Sequence, residues 1–293
     1  MRPKPTLRQV HDFWESQPLF VGESTAPFGS EAFFAEHRHV YIADCFAGSL
    51  DQRLFPNRSN ARILDAGCGV GMWSAEFAMR GYEDITACDL TNAGVTATRT
   101  RLQAVRPDLK VEVLQANIEQ LPFQEQSFDH INCQGVLHHT PNPRRAVAEF
   151  HRILRPGGTA LLSVYHVGLP VLFWSRAGVL ASRLPGLGHV GLRGRGREEL
   201  LREGDVHELV RKYDGAENPL GVAYTRSDFR RLLDPLEVDD FFLHSFPARA
   251  LPFPIPRLVH RGLDRMLGLL IFARVRKSDG NNCLPASSDS ESG

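Results

Sequence analysis

The residues best suited to chemistry fall in short clusters. The first is Asp65-Ala66-Gly67-Cys68-Gly69-Val70-Gly71. Glycines at alternate positions let main-chain N–H groups approach a ligand with no Cβ in the way, and a helix starting just after adds the positive end of its dipole. The acid ahead of the loop is placed to bind an ammonium group. Asp89 lies eighteen residues past Gly71, at the end of the next strand, where a carboxylate accepts both hydroxyls of a ribose. Loop and acid together outline a site for an adenosine-bearing carrier. Two further clusters, Asn117-Ile118 and Gln134-Gly135-Val136-Leu137-His138-His139, also close predicted strands, on the side where open α/β sheets bind ligands. His139, and after it His138, is a candidate general base because imidazole titrates near neutral pH. The plainer reading has both rings bonded to the loop backbone.

Such residues need a scaffold, and the pattern supplies one. Between Ala61 and Tyr165 short apolar runs alternate with longer amphipathic ones, as in a parallel sheet covered by helices. Strands are predicted over 62–65, 85–89, 111–115, 130–134 and 159–165, with helices over 72–80, 92–106 and 143–154. Arg155-Pro156-Gly157-Gly158 stops the last helix and permits the positive φ its reversal needs. From 166 to 224 the rhythm is suspended, as in insertions that carry caps over substrates. It returns with a helix that Thr225 caps, Asp228 standing in the capping-box position, and with strands over 238–243 and 269–275. Two late strands beside five parallel ones predict a seven-stranded α/β sheet. The expected organisation is a helical lid over 1–40, a ligand-binding core over 41–165, a cap over 166–224, the rest of the sheet over 225–277 and a disordered tail over 278–293.

Composition narrows the partners. Lysine plus arginine equals aspartate plus glutamate at 34 each, so no excess positive charge points to a nucleic-acid backbone. Five cysteines without a Cys-x-x-Cys pair read as reduced and structural. The N-terminus shows no secretory signal and predicts a cytoplasmic protein. The apolar region 161–184 is broken by His166, Pro170, Ser175, Arg176 and Ser182, a poor membrane span that still suits contact with a lipid surface or a greasy substrate. Arg193, Arg195 and Arg197 are suited to phosphate or carboxylate groups, although a solvated loop is their ordinary reading.

Ile-Leu-Asp-Ala-Gly-Cys-Gly-Val-Gly, then Asp89, Leu-Pro-Phe, Ser-Phe-Asp, Gly-Val-Leu-His-His and Leu-Arg-Pro-Gly-Gly, in that order over residues 61–165, resemble the "type 11" group of class I S-adenosylmethionine-dependent methyltransferases. The resemblance implies a Rossmann-like sheet of seven strands, mostly parallel with an antiparallel last strand and helices on both faces. It implies that Asp65, Gly67 and Gly69, with Cys68 between them, hold the methionine part of S-adenosylmethionine. Asp89 would hold the ribose, and Leu90 and Ile118 the adenine. Asn117 stands where the family usually has an aspartate facing the adenine amino group; its carbonyl oxygen can still accept. Gln134 and Gly135 would line the cofactor beside the transferred methyl. Trp14, on a probable N-terminal helix, and Tyr165 and His166, after the fifth strand, are second-rank substrate contacts for which packing is the plainer reading. No metal is called for. The expected reaction is methyl transfer to an oxygen, nitrogen or carbon of a small, apolar metabolite. One rival is an NAD-dependent oxidoreductase, disfavoured because Met72 replaces the third fingerprint glycine. Another is a methyltransferase-like module that binds without turnover. Methylation of nucleic-acid bases is disfavoured because Gln134-Gly135-Val136-Leu137 replaces the Asn/Asp-Pro-Pro-Tyr/Phe tetrapeptide.

Overall fold

The computed structural model describes residues 4–173, 203–246, 248 and 254–279. One sheet runs through them, built from β1 (Ile63–Ala66), β2 (Ile85–Asp89), β3 (Glu112–Gln115), β4 (Phe128–Gln134), β5 (Leu154–His166), β6 (Ala223–Tyr224), β7 (Glu237–His244) and β8 (Leu270–Arg276). Its order is β3-β2-β1-β4-β5-β8-β7. Strands β1 to β5 are parallel, and β8 runs antiparallel between β5 and β7. This is the expected Rossmann-like sheet with one addition. The sheet has eight strands, because Ala223 and Tyr224 pair with Tyr165 and His166 at the end of β5. Chain order reverses between β1 and β4, and the crevice at that reversal is where such sheets bind ligands.

Residues 155–158 also depart from expectation. The proline and glycines end the preceding helix, yet β5 already begins at Leu154 and passes through them as a bulge. Leu154 pairs with Phe128 and Thr159 with His130, with a register shift between. Gly157 takes φ +70°, and residues 157 and 158 exchange main-chain hydrogen bonds with Lys277.

Both sheet faces are covered. Along β1 successive side chains point to opposite faces: Ile63 packs with Trp73, Phe77 and Leu102 on one side, Leu64 with Phe150 and Phe229 on the other. The first layer comes from α3 (Met72–Met79) and α4 (Asn92–Val105), the second from α5 (Pro143–Ile153) and the helix Arg226–Leu233. Their starts follow capping chemistry. Thr91, Asn142 and Thr225 accept from the main-chain N–H three residues on, and Pro143 opens α5.

Two N-terminal helices, α1 (Leu7–Ser16) and α2 (Glu31–Cys45), lie over the switch-point side. A reciprocal capping box of Thr6 and Gln9 starts α1. Its Glu15 accepts from the main-chain N–H groups of Asn92 and Ala93 at 2.7 and 3.2 Å, so the carboxylate sits on the free amides that open α4. Helix α2 continues to Cys45, past the boundary expected at residue 40. Of the expected cap, Leu169–Phe173 and Val206–Tyr213 are helical; Arg193, Arg195, Arg197 and all of the expected tail beyond Asp279, with Cys283, lie outside the described residues. The cysteines within them, Cys45, Cys68, Cys88 and Cys133, are free thiols. Among the described residues no helix is long and apolar enough to cross a membrane.

One buried group makes stability sensitive to acid. Burial, aided by the charge of Arg274, pushes His130 down to about 3, so the folded protein keeps this ring neutral where an unfolded chain, at the ordinary value near ~6.5, is protonated. The unfolded state therefore binds the extra proton between those values, and stability falls as pH falls through that window. From pH 7 to pH 5 the wild type is expected to lose about 2 kcal/mol more than His130→Gln, read from urea unfolding at both pH values. Equal losses would show that the ring is not held neutral.

Candidate active site

A cavity of about 270 Å³ opens at the switch point and is walled by the ends of β1, β2 and β4, by α1 and α2, and by the segment around Asp214. Its floor is the glycine loop. Gly67 and Cys68 both donate to the carbonyl of Cys88 at 2.8 and 2.9 Å, and Gly71 donates to that of Cys68. Gly67 has φ +80°, and a Cβ there would meet Cγ2 of Val136 at 2.4 Å. Gly69 and Gly135 also have positive φ, with no atom within 4 Å of a built Cβ, and both line the cavity. The loop thus presents main chain to open space, a cradle that side chains would fill. Gly67→Ala is expected to lower unfolding free energy by about 2–4 kcal/mol through the left-handed backbone and the clash with Val136, measured by denaturant titration. An unchanged midpoint would show that the loop relaxes freely.

The two acids have different places. Asp65 is 1% exposed and is not in the cavity wall. Its oxygens accept from Ser74 Oγ at 2.6 Å and Asn132 Nδ2 at 2.8 Å. Burial pushes this carboxyl up to about 6 against those hydrogen bonds. Both Asp65 oxygens thus have partners inside the fold, behind the cavity wall. Because Asp65 only accepts, Asn132 must turn its amide nitrogen to it and its oxygen to Gln134, whose Nε2 donates at 2.7 Å. That leaves Gln134 Oε1 buried, without a partner, on a residue of the cavity wall. It is an acceptor suited to an ammonium or other donor.

Asp89 does face the cavity. Its Oδ2 accepts from Gly69 N at 2.8 Å, and its Oδ1 from the N–H and hydroxyl of Thr91 at 2.9 and 2.7 Å. Burial raises its carboxyl above the ordinary value. Leu90, Asn117 and Ile118 line the same end. Asn117 Oδ1 accepts from Glu119 N at 3.0 Å, which fixes the side chain and leaves the oxygen one further lone pair.

The opposite end holds a polar group in mostly apolar surroundings. His139, 5% exposed, turns Nδ1 to the carbonyl of Leu220 at 2.5 Å and Nε2 to Asp214 Oδ2 at 3.0 Å. The Tyr165 hydroxyl donates to the same Asp214 oxygen at 2.7 Å. Burial works to raise the Asp214 carboxyl, but these partners and the His138 ring hold it below the ordinary value. His138 packs on His139 with ring centroids 4.1 Å apart, and on Tyr165 at 4.4 Å. One ring nitrogen bonds the Ser163 main chain; Nδ1 is buried with no partner. Burial, then the neighbouring His139, pushes His138 well below the usual imidazole range, so it is neutral with a free lone pair. Both nitrogens of His139 face protein acceptors, whereas Nδ1 of His138 has no partner.

Trp14 reaches the cavity from α1 and packs edge-on against the His139 ring at 5.0 Å. Tyr165 lines it, whereas His166 does not. Side chains alternate across a strand, so the two neighbours face different sides. Asp214 and Leu220 were not anticipated. Asp214 closes the helix Val206–Tyr213 just before Gly215 and reads in sequence as an ordinary helix stop.

The sheet is doubly wound, with a glycine loop at its switch point and an acid one strand on, and known proteins share parts of this arrangement. Residues 64–162 match the family described as "Methyltransferase domain". A ubiquinone biosynthesis O-methyltransferase of Alkalilimnicola ehrlichii is 35% identical over 124 residues, 42% of this chain and 45% of that one. One from Xanthomonas oryzae pv. oryzae is 34% identical over 106 residues, 36% and 43% of the two chains. The matches span less than half the length of these curated relatives. Among solved structures, an S-adenosylmethionine-dependent methyltransferase of Methanosarcina mazei superposes with a TM-score of 0.50 at 21% identity, covering 75% of this chain and 94% of that one. The cyclase SpnF superposes at 0.51 and 15%, covering 96% and 99%. The structural likenesses show the fold alone. The family match adds that residues 64–162 are similar to a methyltransferase domain.

Proposed function

We propose that the chain is an S-adenosylmethionine-dependent methyltransferase acting on a hydroxyl group of a small, largely apolar metabolite. The observation that carries this reading is that one cavity joins the glycine loop, Asp89 and Asn117 at one end to His138, His139 and Asp214 at the other. Gly67, Cys68 and Gly69 with Gln134 Oε1 would hold the methionine part of the cofactor, Asp89 the ribose, and Leu90, Asn117 and Ile118 the base. Bound there, the cofactor supplies an electrophilic sulfonium methyl whose C–S bonding pair stays on sulfur as the new C–O bond forms. His138 Nδ1 takes the hydroxyl proton, and Asp214 with its Tyr165 and His139 partners fixes the polar end. Trp14, Tyr41 and Trp73 line the cavity and favour a flat or apolar acceptor. Orientation in such an enclosure supplies much of the acceleration.

The printed names of the curated relatives, O-methyltransferases, lend support to oxygen as the acceptor. The cyclase of the same fold shows why the site must carry the argument. The oxidoreductase rival has no support beyond the first glycines, and Met72 is the first residue of α3. The test is turnover of isotope-labelled S-adenosylmethionine against a panel of phenols, aliphatic alcohols and amines of similar apolar size. Label in ethers supports the reading; label in amines alone, or failure to bind S-adenosylhomocysteine, overturns it.

A further inference from the structure

The proton acceptor just described is one of three lone-pair atoms that converge, and convergence of that kind has a second use. We infer that His138 Nδ1, His139 Nε2 and a carboxylate oxygen of Asp214 form a binding site for a divalent transition-metal cation at the acceptor end of the cavity. One nitrogen of each ring and one Asp214 carboxylate oxygen all lie within 4.8 Å of one another, the His139 Nε2–Asp214 Oδ2 edge being 3.0 Å. Bonds of ~2.0–2.2 Å to a shared ion put ligand atoms roughly 3–3.5 Å apart, so the His139–Asp214 edge already has the required length.

Each ligand is aimed by a partner behind it. The Leu220 carbonyl takes the Nδ1–H of His139 and leaves the lone pair on Nε2. The Ser163 main chain does the same for the other ring, leaving Nδ1 of His138 buried and unpartnered. The Tyr165 hydroxyl holds the carboxylate. Outer hydrogen bonds of this kind orient metal ligands and fix their tautomers. A simpler occupant, a proton shared by His139 and Asp214, accounts for the 3.0 Å edge but leaves the third buried acceptor without a partner. A cation uses all three.

Two imidazoles and one carboxylate suit iron(II), zinc or manganese(II) and leave coordination positions open toward the cavity. The catalytic consequence rests on the function proposed above. The acceptor oxygen would ligate the cation, its hydroxyl proton would leave to water, and the bound oxyanion would be the nucleophile; His138 is then a ligand in place of a proton acceptor. Binding of the ion itself does not depend on that function.

The test uses tag-free full-length protein, treated with chelator and titrated with Co²⁺ as a spectroscopic probe, then with Zn²⁺ and Mn²⁺. Visible Co²⁺ bands that saturate near one equivalent, and affinity lower by ~100-fold in both His138→Ala and Asp214→Ala, are expected. S-adenosylhomocysteine titration shows that the variants remain folded and separates the two readings. Absence of Co²⁺ bands in wild-type protein that binds S-adenosylhomocysteine overturns the cation site and leaves the methyltransferase reading standing, as does equal affinity in both variants. Saturating bands in wild-type protein that fails to bind S-adenosylhomocysteine support the cation site and overturn the methyltransferase reading.

Discussion

Asp89→Ala is expected to weaken S-adenosylhomocysteine binding by at least ~100-fold while the sheet stays folded. Asp89 has two tasks in the structure. Its Oδ2 fixes the Gly69 N–H, and its Oδ1 anchors Thr91, which caps α4. It also lines the cavity where two ribose hydroxyls would arrive. Hydrogen bonds to a charged acceptor contribute about 1.5–3 kcal/mol each, and losing two costs roughly 3–5 kcal/mol, a factor of hundreds or more in affinity. Asp89→Asn keeps the shape but presents donors to the N–H groups it now accepts from, and an intermediate loss of ~10–100-fold is expected. Calorimetric titration with far-UV circular dichroism on the same samples decides the matter. Native-like affinity in a folded Asp89→Ala protein would remove the ribose from this position.

The second large effect belongs to the other end of the cavity. His138→Ala and Asp214→Asn are each expected to reduce kcat by ~10²–10⁴-fold, the range for removing a positioned proton acceptor or the groups that orient it. Their S-adenosylhomocysteine affinity is expected within about threefold of wild type, since neither residue adjoins the glycine loop or Asp89 in the geometry above. Steady-state rates with the best acceptor, paired with cofactor titration, separate this from a general structural loss. If both variants turn over at wild-type rates, the acceptor does not meet this cluster. If both lose cofactor affinity together with rate, the cluster supports the fold of the cavity and takes no part in the reaction.

Much of the scaffold was legible because it rests on local signals. The parallel strands, their helices and the loop between β1 and α3 follow from period, glycine placement and capping residues that act within a few positions. The bulge in β5 was not legible: Pro156, Gly157 and Gly158 stop a helix equally well whether the strand begins before or after them, and only the contacts to Lys277 decide. The site divides the same way. Asp89 was readable from its distance to the loop. The inward turn of Asp65 was not, since it depends on Asn132 and Ser74 reaching it across β4 and α3. Asp214 was hidden more deeply, because its partners His139 and Tyr165 lie 75 and 49 positions away and its own neighbours spell a helix stop. The hydrogen bonds that orient the two histidines likewise come from Leu220 and Ser163, which no local pattern connects to them.

In the proposed function one cavity grips the cofactor by loop and Asp89 and points its reactive end at His138 and Asp214. A crystal structure with S-adenosylhomocysteine tests it most directly. Ribose oxygens are expected on Asp89, the base between Leu90 and Ile118, the ammonium within hydrogen-bonding distance of Gln134 Oε1, and sulfur facing His138. Adenosyl density elsewhere, or sulfur turned toward Asp89 and away from the histidines, would contradict it.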